Sequence, residues 1–323
     1  MKVQIPIFSK ISDEQLQFIR EVGVNYVSVT FSHEDINYDA VASLQERMAK
    51  YNITITDGGC NELFKNPDIH LGRDDRDEAI DRYNDFTRIL GKTGISIGYI
   101  AWQPNGILRT KYGVGRHTRG AISAIADMKE ILARPVANGR EYGEEEIWSN
   151  FKYFLDRVLP VCEEANVKIA LHPNDPPAES LAGVNSLIYN TECYRKAFAM
   201  AGNSPYLGMK LCVGCWLEGG EMFGNLMEDI KEFAKQDKIL SVHFRNVSSP
   251  MPYFEETLAE DGYADMYSIM KQLASSGYKG VISVDHAFHS SYAAGGYLTS
   301  IGCSTTYMKG LLHAVLAEQN NLK

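Results

Sequence analysis

No run of about 18 apolar residues occurs in this chain, so no segment suits a membrane-spanning helix. The opening residues, MKVQIPIFSKISDEQ, turn polar and acidic at once and lack the apolar stretch of a signal peptide or anchor. Cysteine is sparse. Six, irregularly spaced over 323 residues, do not make a small disulfide scaffold, so reduced thiols and a cytoplasmic setting are expected. Positive charge is in deficit too. A net charge of −9 argues against a nucleic-acid footprint, yet it leaves an acidic small molecule open as ligand, because a metal or a few arginines can reverse the local field. Short-period repeats and low-complexity linkers are absent, and no glycine-rich phosphate loop follows the first apolar run.

Eight short apolar, β-rich runs are present: Val3–Ile7, Asn25–Thr30, Ile53–Thr56, Ile95–Ala101, Lys168–His172, Leu207–Cys212, Ile239–Phe244 and Val281–Asp285. Most alternate too little for half-exposed strands and read as strands buried on both faces of a parallel sheet. Helical patterns fill the gaps at Ser12–Glu21, Tyr38–Tyr51, Arg76–Leu90, Glu144–Ala165, Thr191–Met200, Asn225–Ala234, Ala264–Ala274 and Ser304–Ala317. Strand and helix alternating eight times predict an α/β fold, a closed (β/α)₈ TIM barrel in one domain over residues 1–323. An open doubly wound sheet is the competing arrangement, and it would favour the missing phosphate loop. Long loops are expected after strands 4, 7 and 8, at 102–120, 247–263 and 287–303, on the face where barrel active sites form.

Four potential metal ligands end four consecutive strands: His172, Cys212, His243 and Asp285, spaced 40, 31 and 42 residues apart. Each gap is about one strand–helix unit, so a closed barrel would bring all four to one rim. Two imidazoles, a thiolate and a carboxylate suit a divalent transition metal better than magnesium or calcium. Taken singly, a histidine at a strand end is more often a hydrogen-bonded structural residue, and a cysteine after Leu211 a small buried hydrophobe. Cys215, three residues on, is a rival thiol. Asp175 reads as a helix N-cap. Arg109, Arg116, His117 and Arg119 include solvated loop residues, and Trp216, Met222 and Phe223 form either an exposed patch or part of the core. His33, His70, His289 and His313 receive no role.

The stretches ALHPNDPP, GMKLCVGCWLEGG, VHFRNV, YFEET, GYADM and VDHAF resemble the mannonate dehydratase family, whose members are xylose-isomerase-like TIM barrels. The resemblance covers roughly residues 165–315. It implies dehydration of D-mannonate to 2-keto-3-deoxy-D-gluconate with Mn²⁺ held by His172, Cys212, His243 and Asp285. It further implies catalytic roles for His286, as acid toward the leaving hydroxyl, and Tyr297, as base, with Tyr292 a competitor for the tyrosine. Arg245, Asn246 and Glu256 match substrate-contacting positions, and Trp102 and Arg109 match a tryptophan and arginine of the family's fourth loop. The first half departs more from the family pattern.

Such a reaction takes a weakly acidic proton beside a carboxylate and expels hydroxide as water, so it needs a base, an acid and positive charge. A phenol with a pKa near ~10 would need the metal or Arg245 to lower it. His286 has a second reading, as a group that only orients Asp285. Two other functions stay open. A sugar isomerase or epimerase would want a carboxylate-rich shell, with Glu255 and Glu256 as candidates. A non-catalytic sugar-acid-binding relative would keep the fold alone. The expected partner is a small aldonate, with neither nucleic acid nor membrane, and a homo-oligomer is open.

Overall fold

The apolar runs become strands because every second side chain has an apolar layer to enter. The computed structural model describes residues 1–290 and 296–321. Eight parallel strands form the barrel: β1 (Lys2–Phe8), β2 (Tyr26–Phe31), β3 (Thr54–Cys60), β4 (Ile97–Ala101), β5 (Lys168–His172), β6 (Leu207–Cys212), β7 (Ile239–His243) and β8 (Val281–Ser283). Parallel ladders join them in the order β3-β2-β1-β8-β7-β6-β5-β4. At the remaining junction β3 packs beside β4 without a ladder among the described residues. Gly59 of β3 lies there against the Tyr99 ring of β4, and a Cβ would come within 2.7 Å of that ring. The result is a nearly closed barrel of the expected class.

Burial on both faces conceals a chemical difference between them. The outward residues Ile5, Val27, Val29, Met209, Leu211, Val242 and Ile282 are apolar and buried under helices. The inward layer includes Gln4, Ser28, Asp57, Lys210, Ser241 and Ser283, all buried and all polar. Strand register therefore decides which side chains reach the barrel's interior and its carboxyl rim.

The outer ring is α1 (Asp13–Glu21), α2 (Tyr38–Ala49), α3 (Arg76–Lys92), α4 (Glu144–Ala165), α5 (Thr191–Met200), α6 (Leu226–Lys235), α7 (Met266–Ser275) and α8 (Gly296–Asn321). A capping box starts α1: Ser12 accepts from the Gln15 amide and Gln15 reaches back to the Ser12 amide. Helix α8 begins eight residues before the expected Ser304, so the loop after β8 is shorter than the sequence suggests.

The loops after β4 and β7 are not independent. Lys111–Val114, Ile122–Asp127 and Tyr253–Glu255 pair into a three-stranded antiparallel sheet over the rim. The loop after β8 joins it, since Ile122 and His289 exchange backbone hydrogen bonds of 2.9 and 2.7 Å. Segments about 130 residues apart thus make one cap, a pairing that local sequence cannot specify. Among the described residues no helix is long and apolar enough to cross a membrane.

Candidate active site

His172, Cys212 and His243 are the last residues of β5, β6 and β7, and Cys212 is in register with His243. Asp285 lies two residues beyond the end of β8 rather than within it. The four converge. His243 Nδ1 is 3.0 Å from Asp285 Oδ1, Cys212 Sγ is 3.4 Å from Asp285 Oδ2, and the two imidazole rings are 5.2 Å apart. Ligand atoms of His172, His243 and Asp285 lie within 4.8 Å of one another, as do those of His172, Cys212 and Cys215. His172 donates from Nδ1 to the Pro173 carbonyl at 2.7 Å, which fixes its tautomer and leaves Nε2 as a lone-pair donor. His243 Nδ1 is buried and, despite its nearness to Asp285, forms no aligned hydrogen bond. An unspent buried nitrogen among N, S and O donors fits a divalent transition metal.

Electrostatics separates the two thiols. Burial opposes ionisation of Cys212, but the Cys215 thiol and the two imidazoles outweigh it and hold Cys212 well below its ordinary value. Burial and the neighbouring Cys212 push Cys215 well above. Cys212 has the thiolate character of a ligand, and Cys215 that of its hydrogen-bond donor.

Beneath this group lies a buried ionic network. Arg109 reaches Asp175 at 2.5 Å, Glu256 at 2.7 Å and Glu218 at 3.1 Å. Arg245 reaches Glu218 at 2.6 Å, Asp285 at 2.9 Å and Asp175 at 3.4 Å. Gly214 makes room, since a Cβ there would come 2.4 Å from the Arg245 guanidinium. Burial, with Asp175 nearby, raises the Glu218 carboxyl well above its ordinary value, which favours a neutral acid. The carboxylates Asp175, Glu256 and Asp285 then balance Arg109, Arg245 and a protonated His286, with the Cys212 thiolate left as the excess negative charge that a bound cation would meet. Such balance is what lets charges stay buried.

His286 donates from Nδ1 to Glu256 Oε1 at 2.8 Å, and its Nε2 is 3.7 Å from Asp285. Burial disfavours the imidazolium, but Asp285 and Glu256 push its pKa up to about 9. At neutral pH it is therefore a proton donor, with Glu256 accepting from Nδ1. The Tyr297 hydroxyl accepts from the Ala287 amide at 2.8 Å. Burial pushes its pKa up to about 12, opposite to the lowering, by the metal or Arg245, that a phenolic base would need, and Arg245 is itself engaged with carboxylates. Tyr292 lies outside the described residues.

Several expected contacts fall elsewhere. Trp102 does not face the rim. It is buried behind β4 against His70, Phe151 and Phe154, at ring distances of 4.4, 5.1 and 5.7 Å, while its neighbours Ala101 and Gln103 turn inward. The Asn246 amide is fully spent: it donates to Ala259 and Ala264 carbonyls at 3.0 Å each and accepts from the Val247 amide, holding the loop after β7. Arg109, Arg245 and Glu256 support the rim from below through one another. Asp175 caps no helix and belongs to the same network, while Arg116 and Arg119 form ion pairs on the cap's surface. Trp216 and Phe223 pack inward, and Met222 is exposed.

A cavity of about 180 Å³ opens beside the donor group, lined by Lys65, Tyr99, Gln103, His172, Lys210, His243, Asp285 and His286. A second space of about 470 Å³ shares Asp285 and His286 and reaches Tyr297, Phe8 and Lys10. Lys65, Lys210, Tyr99 and Gln103 were not singled out from sequence. Lys210 carried a signal, for it stands two residues before Cys212 and so shares its face of β6.

Comparison with known proteins bears on the family and the fold. The D-mannonate dehydratase (UxuA) family profile matches residues 123–321. A mannonate dehydratase of Enterococcus faecalis is 32% identical over 290 residues, 78% of this chain and 79% of that one. The crystal structure of mannonate dehydratase from Streptococcus suis serotype 2 superposes with a TM-score of 0.84 at 22% identity, covering 99% of this chain and 96% of that one. A xylose isomerase domain protein from Planctomyces limnophilus shares the fold at a TM-score of 0.63 and 11% identity, with 98% of each chain covered.

Proposed function

Since this chain belongs to the D-mannonate dehydratase family, we propose that it removes water across C2–C3 of an aldonate, D-mannonate first, to give 2-keto-3-deoxy-D-gluconate. The observation that carries the reading is His286, an imidazole held by Glu256 and Asp285 beside a four-donor metal group at the cavity wall.

His172, Cys212, His243 and Asp285 would hold the ion, manganese in this proposal. When bound it supplies Lewis-acid polarisation of the substrate's carboxylate and adjacent hydroxyl, which acidifies the C2 proton. Tyr297 would first lose its own proton to solvent, a loss that the charge of a bound ion would favour, and would then take the C2 proton as a phenolate. The Ala287 amide already donates to its oxygen, which is the orientation a phenolate needs. His286 gives its proton to the C3 hydroxyl as the C–O bond breaks, so the leaving group departs as water. Glu256 and Arg109 keep the imidazole's position and charge. The resulting enol gains a proton at C3, loses the proton of its C2 hydroxyl and becomes the 2-keto acid. Arg245 positions Asp285 and Glu218 rather than touching substrate.

The reading includes a cytoplasmic setting, supported by six cysteines without disulfides. It also includes residues 1–323 acting as one barrel unit, an aldonate rather than nucleic acid as ligand, and self-association into a homo-oligomer, which light scattering on the purified protein would read. The central test incubates the manganese-loaded protein with a panel of aldonates and aldoses and assays for 2-keto-3-deoxy acids. Dehydration of D-mannonate that stops after chelation and returns with manganese is expected. Turnover of aldoses alone, or activity that survives chelation, would overturn it.

A further inference from the structure

The arginines near the site are spent in hydrogen-bonded ion pairs with carboxylates, but two ammonium groups have no such hydrogen bond. Lys210 lies one layer below Cys212 on β6. Its side chain is only 5% exposed, and its partners are Asp57 at 3.7 Å and the face of the Tyr99 ring at 4.0 Å from the centroid. Neither is a hydrogen bond. The strand register slips between Met209 and Lys210, and again on β2 opposite Asp57, so both residues sit at irregularities that re-aim side chains. Lys65 closes the short helix Asn61–Phe64 that leaves β3, with its amine 5.7 Å from the Phe64 ring. Among the described residues neither amine has a hydrogen-bond acceptor within reach. Both line the 180 Å³ cavity beside His172, His243 and Asp285. On the same wall, Gln103 Oε1 is buried with no partner. Ammonium groups are strongly hydrated in water, and withdrawing a buried Lys210 and a partly buried Lys65 from it with their donors unused is costly, a cost that the 3.7 Å approach of Asp57 offsets only in part unless another anion arrives to accept them.

We propose that Lys65 and Lys210 form the subsite that binds the substrate's carboxylate, taking the place that Arg109 and Arg245 cannot fill. Deprotonation at C2 puts a second negative charge beside that carboxylate, and two ammonium groups fixed there favour the charged state over the ground state. The pair also selects acids over aldoses and polyols, which offer no anion to it. The identity of the substrate rests on the dehydratase reading; the preference for a carboxylate does not.

The test compares calorimetric binding of D-mannonate with that of the uncharged D-mannonamide, on metal-loaded and on chelator-treated protein. Wild type should prefer the acid in both preparations. Lys65→Met and Lys210→Met should each weaken D-mannonate binding about 10- to 100-fold, the loss expected for a charge-assisted hydrogen bond, and leave the amide unchanged. Lys65→Arg should keep the preference, and thermal melts should show every variant folded. Variants that retain the wild-type preference, or lose acid and amide equally, would overturn the assignment. A wild type that prefers no aldonate to its amide would overturn both this subsite and the dehydratase reading. Lysine-dependent binding of aldonates without dehydration would overturn only the latter.

Discussion

The two halves of the barrel rim contribute differently. Strands β5 to β8 end in His172, Cys212, His243 and the nearby Asp285, and the loops after them bring Asp175, Glu218, Arg245 and Glu256. Strands β1 to β4 offer no residue to the donor group. They supply walls and the amine of Lys65, together with Tyr99 and Gln103. The family match begins at residue 123, so it spans mainly the donor half. The difference teaches that the candidate metal donors gather on one half of the ring, whereas the cavity beside them is lined from both halves, with Lys65 from one and Lys210 from the other.

The largest effect that would break this division comes from the donor half. His172→Ala should lower metal affinity by more than the ~100-fold that loss of an outer hydrogen-bond partner can cost, and abolish turnover. Metal content after dialysis reads it directly, and Lys65→Met, in the other half, should retain full stoichiometry. A loss of metal from Lys65→Met would erase the distinction. Next comes His286→Gln, expected to cut kcat about 10²–10⁴-fold with metal content unchanged. If the metal leaves with it, the residue is a support for Asp285 and not the acid.

Two stability effects follow, both from the segment after β4. Arg109→Met strands the buried carboxylates Asp175 and Glu256 and should cost about 3–5 kcal/mol in denaturant unfolding. Trp102→Ala opens a cavity behind β4 and should cost about 3–5 kcal/mol, with Trp102→Phe costing less. Only the first should alter the pH dependence of kcat, because only Arg109 touches Glu256, the partner of His286.

A pH-dependent effect, small near neutrality, concerns His70, which is fully buried beside Trp102 with both ring nitrogens unpartnered. Burial pushes its pKa from 6.5 down to about 3. The unfolded chain binds this proton first, so the contribution to stability is complete above pH 6.5 and is lost as pH falls toward about 3. The slope is at most about 1.4 kcal/mol per pH unit. Replacing His70 with Phe should flatten the acid limb of the stability curve by that amount. An unchanged limb would mean that the ring is protonated in the folded state.

Much of this was legible before any coordinates. Strand–helix alternation predicted the barrel, because apolar runs and helical periodicity are local properties of the chain. The ends of β5, β6 and β7 pointed to His172, Cys212 and His243, since one strand–helix unit separates each from the next. Other features were decided by tertiary structure. Trp102 and Gln103 are adjacent, and only the strand's orientation in the closed ring sends one to the core and the other to the cavity. Arg109 looked like a loop residue, and it became a buried counter-ion because the cap pairs segments 130 residues apart. The spacing of Lys210 from Cys212 puts it on the same face of β6, but its unused donors exist only because the inward layer of the barrel encloses it. The sequence alone determined the class of fold and the types of donor available. Which charges neutralise one another, and which remain free to meet a substrate, depended on long-range packing that brings distant side chains within a few ångströms.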